Sequence, residues 1–261
     1  MRQFKHFIIT RFNLGLYSPG ACIRISPDEW MAHRIKLFAT FTLPSVISQT
    51  CQNFTWLILM DSRTPEVYRN MIASIEYPNI HLVYADVSQE KMPLSHECFS
   101  RLVTQNITPG DYDLITTRID NDDAFRMDTV RVIQDWYRPR PVRWTIVFAF
   151  GYLLDLSAKQ IFLMQYWVNN CPTMIERSIG ARSVYFTGHT RLVADAAVTI
   201  GDKPYWIQVV HSENIANVTF DSGTRTVYRD KTVNIANLSG FNIDIDIAGL
   251  QNIELQTARR K

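Results

Sequence analysis

The sequence predicts an α/β protein built on a mostly parallel sheet with helices on both faces, and three observations predict it. Short β-branched and aromatic runs alternate with capped helical stretches through the first half. Several of these runs end on a charged residue, at Arg11, Asp61, Asp86 and Asp120. The chain has 261 residues, 46% apolar and 20% charged, enough to bury the core of a soluble globular domain. Ligands of such sheets bind outside the carboxyl ends of the strands, which makes these terminal residues natural pocket residues.

The elements follow in order. "FKHFIITRF" (Phe4 to Phe12) is a buried first strand. "SPDEWMAHRIKLF" starts a helix with Ser26 as cap, Pro27 at the first position, and Asp28 and Glu29 at the positive end. Pro44 marks a second short helix or a kink. "FTWLILMD" (Phe54 to Asp61) is the second strand, and "TPEVYRNMIASI" a helix capped by Thr64 with Pro65 just inside. "IHLVYAD" (Ile80 to Asp86) is the third strand, Ser95 to Gln105 a helix, and "DLITTRI" the fourth strand. A helix is expected from about Met127 to Trp136, then strand-like "TIVFAFGYLLDL", a helix after Gly188 and the strand "YWIQVV" ending at His211. The aromatic residues Phe162, Tyr166 and Trp167 have helical spacing and read as core. The tail, with its alternating "FNIDIDI", reads as an added strand pair. One domain over residues 1–261 is expected, with a regular half to about 125, a less regular half over about 126–217 and an extension over 218–261.

Composition excludes several classes. A net charge of +2 argues against a nucleic-acid partner. The longest apolar run, Trp144 to Leu154, is too short to span a bilayer, and no signal peptide is recognisable, so a soluble, cytoplasmic protein with at most peripheral membrane contact is expected. Cys22, Cys51, Cys98 and Cys171 are dispersed, without a CxxC pair, and read as free thiols.

The chemistry concentrates in "DLITTRIDNDDAF", where Asp120, Asn121, Asp122 and Asp123 follow the fourth strand. Like charges this close repel unless a cation binds them. Asp120 and Asp122, two apart, point to one side of an extended backbone, and carboxylate oxygens suit Mg²⁺ or Mn²⁺. An EF-hand is excluded, because its sixth and twelfth positions would be Phe125 and Arg131. The competing structural role is capping of the following helix by Asp122 or Asp123. Arg118 could meet a phosphate or pair with a carboxylate. Mg²⁺ and Mn²⁺ keep positions open for phosphate oxygens, which suggests a nucleotide diphosphate ligand.

"TTRIDNDDAF", preceded by "TLPSVISQTCQNFTWLILMD" and "FIITRFN" and followed by "NNCPTMIE" and "WIQVVHSENIAN", resembles the putative rhamnosyltransferase family. That family belongs with GT-A type (Rossmann-like) nucleotide-sugar glycosyltransferases. The resemblance implies a nucleotide-sugar-binding first half and an acceptor-side second half. It implies that Asp120 and Asp122 are the D-x-D carboxylates for metal and ribose-phosphate, with His211 completing the metal site. Thr10, Arg11, Asp61 and Arg118 then belong to the nucleotide side, Asp61 contacting base or ribose. Where the family reads "NPF" this chain reads "NCP".

For an inverting transfer the candidate bases are Glu176, then Asp195, with Asp155 and Glu213 behind them and His189 at the acceptor site. The expected partners are a nucleotide diphosphate sugar donor and a glycan or lipid-linked saccharide acceptor. A nucleotidyltransferase acting on a sugar phosphate fits less well, since "RFNLGLYSPG" has only Gly15 and Gly20 and no lysine. A non-catalytic nucleotide-sugar-binding protein keeps the same carboxylates and is separated only by assay.

Overall fold

A computed structural model describes residues 3–21, 23–192, 197–211 and 223–244. Four parallel strands form the core of the first half: β1 (Phe4–Arg11), β2 (Thr55–Asp61), β3 (Ile80–Ala85) and β4 (Asp113–Arg118). They lie in the order β3-β2-β1-β4, so the chain builds outward from β1 on one side and returns to its other side for β4. Both faces are covered, and β2 is buried from Trp56 to Asp61.

Helix α1 (Pro27–Leu37) starts as its sequence dictates, with Ser26 and Glu29 forming a reciprocal capping box. Next comes a π-helical turn, Phe38–Thr42, and then α2 (Leu43–Ile47). Pro44 has no N–H to give the Thr40 carbonyl, and the Leu43 N–H reaches back to the Phe38 carbonyl instead. The wider turn lets Thr42 Oγ1 donate to the Asp123 carbonyl at 2.8 Å and brings Ser45 Oγ to the Phe125 N–H at 3.2 Å, tying this corner to the acidic segment.

Helix α3 (Glu66–Ala73) corrects one expectation: Pro65 is its cap residue and no side chain caps it. Thr64 instead donates to the Asp61 carbonyl and accepts from Asn13. Helix α4 (His96–Gln105) forms where expected, and Ser95, taken there as its first residue, is its cap.

Beyond β4 the sheet changes character. The short β5 (Ala124–Phe125) is followed by α5 (Thr129–Trp136), then β6 (Trp144–Asp155), β7 (Gln160–Tyr166) and β8 (Thr173–Arg177). Helix α6 (His189–Leu192), β9 (Ala197–Val210), β10 (Arg225–Thr232) and a 3-10 helix (Ile235–Phe241) complete the described chain. Strand β8 sits antiparallel between β4 and β6. β6 pairs with β8 and then β7 along one edge and in parallel with β9 along the other. Gly151 is required there, because a Cβ would meet the Trp206 ring at 2.2 Å.

The segment with Phe162 and Tyr166 is strand β7, not a helix. Phe162 is core, Tyr166 is half-buried and Trp167 is exposed. Its sequence does not alternate cleanly, because the consecutive Ile161 and Phe162 are both buried, and pairing with β6 and β10 on its two edges makes it a strand. The tail does add a strand, β10, paired antiparallel with β7. The end of "FNIDIDI" lies outside the described residues.

Candidate active site

The crevice lies where the strand order reverses, between the carboxyl ends of β1 and β4. Arg11 ends β1 and Arg118 ends β4, and both reach Asp120. Arg118 Nε and Nη2 donate to Asp120 Oδ1 and Oδ2 at 3.1 and 2.8 Å, and Arg11 Nη2 stands 3.6 Å from Oδ1. Burial works against the Asp120 carboxylate, but Arg118 and then Arg11 outweigh it and hold the group below the usual carboxylate range. The two guanidiniums lie over the Tyr185 ring, 5.4 and 5.5 Å from its centre, and burial pushes that phenol up to about 12.

Asp122 faces α1 and the end of β9. Its Oδ2 takes Arg34 Nη1 at 2.5 Å and lies 3.0 Å from His211 Nε2. Burial opposes this charge too, and Arg34 followed by His211 reverses the effect, so Asp122 is held well below its ordinary value. Arg34 Nη1 also donates to Asn121 Oδ1 at 3.0 Å, while Asn121 Nδ2 holds the Phe12 carbonyl. The His33 ring stands edge-on to His211 with centres 5.0 Å apart.

Asp123 points the other way, into the protein. It accepts from the Val209 N–H at 3.1 Å and from Asn170 Nδ2. Burial first, then Asp122 and Asp120, push its pKa well up. Neither it nor Asp122 caps a helix: α5 begins after Asp128, without a side-chain cap.

The structure brings together Arg11, Arg118, Asp120, Asp122 and His211, and sets the other predicted residues elsewhere. Thr10 is fully buried and accepts from Trp56 Nε1 at 3.0 Å, because alternate β1 residues face the core. Asp61 is fully buried and its oxygens are taken by Arg63 and the Gly15 N–H, so it shapes the loop after β1 rather than facing a ligand. Gly15 suits that role, with φ +80.

Glu176 is a further correction. It pairs with Leu114 near the amino end of β4, four residues or about 13 Å of strand before Arg118. There it binds Arg143 at 2.9 Å and the backbone N–H groups of Arg182 and Ser183. Asp155 closes the turn after β6 by accepting from Ser157 and Ala158. His189 bonds the Val168 carbonyl and stands edge-on to the Tyr166 ring with centres 6.4 Å apart, and burial first, then Arg118, lowers its pKa. Asp195 and Glu213 lie outside the described residues.

The family model described as putative rhamnosyl transferase matches residues 22–222. The chain belongs to this family. No curated protein matches the chain. Among solved structures, TarS 1-349 of S. aureus in complex with UDP is 12% identical over 80% of this chain and 61% of that one, with a TM-score of 0.46. The same TarS fragment with UDP-GlcNAc is 12% identical over 96% of this chain and 70% of that one, again with a TM-score of 0.46. In the first of these matches the chain spans about three fifths of the TarS fragment's length.

The crevice of this rhamnosyl transferase family member offers a donor set whose chemistry fits Mn²⁺ or Mg²⁺: the carboxylates of Asp120 and Asp122 and the imidazole of His211. As placed, however, no three His, Cys, Asp or Glu side chains among the described residues converge closely enough to hold an ion. Asp120 is turned to Arg118 and Asp122 to Arg34, so an ion would have to replace arginine contacts.

Arg34 is the main residue sequence reasoning missed. Its signal was present, since it lies on the inward stripe of α1 with Met31 and Leu37, where an arginine is out of place unless paired. Asn170 and Tyr185, from the loops around β8, carried no such signal. Among the described residues no helix is long and apolar enough to cross a membrane.

Proposed function

We propose that the protein is a metal-dependent glycosyltransferase that moves a sugar, rhamnose by its family, from a nucleotide diphosphate sugar to a glycan or lipid-linked saccharide hydroxyl. The observation that carries this is the meeting of Arg11 and Arg118 on Asp120 at the reversal point of the parallel strands, next to Asp122 and His211. Two ionised carboxylates among arginines suit a diphosphate and its counter-ion together. Asp120, Asp122 and His211 would hold Mn²⁺ or Mg²⁺, which supplies charge neutralisation at the departing diphosphate. Arg118 and Arg11, released from Asp120, would bind the phosphate oxygens directly. His189 would belong to the acceptor side.

The test is a thermal-shift screen of nucleoside diphosphates and nucleotide sugars with Mn²⁺, with Mg²⁺ and with chelator. A ligand at a hundredfold over its dissociation constant should add about 2.7 kcal/mol of stability. Stabilisation that is equal with chelator present would remove the metal from this function, and no response to any nucleotide would remove the donor.

A further inference from the structure

Strand β9 breaks its ladder with β6 at one place. Ile200 and Pro204 pair with Phe148 and Phe150, so residues 201–203 stand opposite the single residue Ala149 and bow out as a bulge. Between this bulge and the last turn of α5 opens a cavity of about 510 Å³, lined by Asp135, Trp136, Thr199, Asp202, Lys203 and Tyr205. Its size is within the range of small-molecule sites. It is not part of the donor crevice. Tyr137, next to Trp136 in the chain, donates its hydroxyl to Asp113 at the amino end of β4, five residues or about 17 Å of strand before Arg118.

The lining combines a flat apolar surface with a polar border. Trp136 is 48% exposed, which leaves its indole in water. Tyr205 is buried, and its hydroxyl donates to Asp202 Oδ2 at 3.2 Å, fixing that carboxylate at the rim. Lys203 Nζ is fixed in the same way by Asp128 Oδ2 at 2.6 Å. Asp135 and Thr199 are exposed. The indole is thus bordered by two carboxylates that accept, an ammonium that donates and a hydroxyl that does both. A sugar ring has the matching form, with an apolar C–H face for the indole and hydroxyls around its edge that donate and accept. An anion would meet two carboxylates there. A quaternary ammonium would meet one open aromatic face beside a lysine, not an aromatic cage.

We propose that this cavity is a second carbohydrate site, which holds a pyranose unit of a glycan with Trp136 as its stacking platform and Asp135, Asp202 and Lys203 as its hydroxyl partners. It needs neither nucleotide nor metal. On a glycosyltransferase it would hold the glycan chain at a distance from the reacting hydroxyl, and that role alone rests on the acceptor assignment made above.

The experiment titrates the whole chain, with chelator and without nucleotide, with the methyl glycosides of rhamnose, glucose, mannose, galactose and N-acetylglucosamine, followed by calorimetry. At least one should bind saturably. Trp136→Ala should weaken that binding about tenfold and Asp135→Ala about fivefold, while Trp136→Phe keeps part of the affinity. Trp167→Ala removes another tryptophan of similar exposure, 46%, and should leave binding unchanged. Absence of saturable binding by every glycoside would overturn the proposal, as would full affinity in Trp136→Ala. Tetramethylammonium bound through Trp136 more tightly than any of the sugars would also overturn it, by making the cavity a cation site. With no nucleotide or ion present, each of these outcomes is read separately from the fate of the donor assignment.

Discussion

The pairing of Arg34 with Asp122 makes a prediction opposite in sign to the one the bare sequence suggests. A run of adjacent carboxylates implies repulsion, so Asp122→Asn should leave the ligand-free protein as stable or more so. In the structure Asp122 is instead the partner of a buried guanidinium, with side-chain exposures of 10% for Arg34 and 5% for Asp122. At that depth the relevant scale is that of a broken buried pair, about 3–5 kcal/mol, not the 0–1 kcal/mol or so of a surface pair. Asp122→Asn should therefore destabilise, by roughly 6–20 °C in melting temperature for a chain of this size.

Arg34→Met should cost a similar amount, since it leaves the Asp122 carboxylate with His211 alone of these two partners. The double variant should lose less than the sum of the two, with an interaction energy of about 1–3 kcal/mol. Urea unfolding with chelator present keeps adventitious metal off the carboxylates and reads all four corners of the cycle. An Asp122→Asn protein at least as stable as the parent would refute the pairing argument and return the cluster to net repulsion.

Glu176→Gln should lose about 1–3 kcal/mol of stability, through its bonds to Arg143 and two backbone N–H groups, and keep near-normal turnover; collapse of turnover in a fully stable variant would return Glu176 to the reaction centre. His6 is buried with its pKa lowered to about 3, so the unfolded chain alone takes up its proton below about pH 6.5, and stability should fall by up to several kcal/mol as the pH drops from there towards 3. His6→Asn should flatten that slope in urea unfolding followed against pH, and an unchanged slope would place the effect on other groups.

The first half of the fold was legible because local chemistry and global packing agree there. Ser26 with Glu29, Ser95, and Pro44 each act through neighbours within a few residues, and the β-branched runs are buried on both faces as a parallel sheet requires. Beyond residue 125 that agreement ends. Strand β7 reads as a helical stripe because Phe162 and Tyr166 fall four apart, and only its pairing with β6 and β10 fixes it as a strand. The Thr64 cap failed for a related reason: a stronger long-range claim, from Asn13 and the Asp61 carbonyl, takes the hydroxyl.

The site divides along the same line. Asp120, Asp122, Arg11 and Arg118 could be found because strand ends and spacing are local properties, and His211 because it ends a recognisable strand. What each carboxylate does is set by partners far away in sequence. Arg34 lies 88 positions from Asp122, and Val209 lies 86 from Asp123. Three neighbouring aspartates therefore meet three different environments: one beside two arginines at the crevice and one against α1, both with pKa lowered, and one in the interior with its pKa pushed up. A sequence pattern cannot distinguish them, because the difference lies in which counter-charge the fold delivers to each.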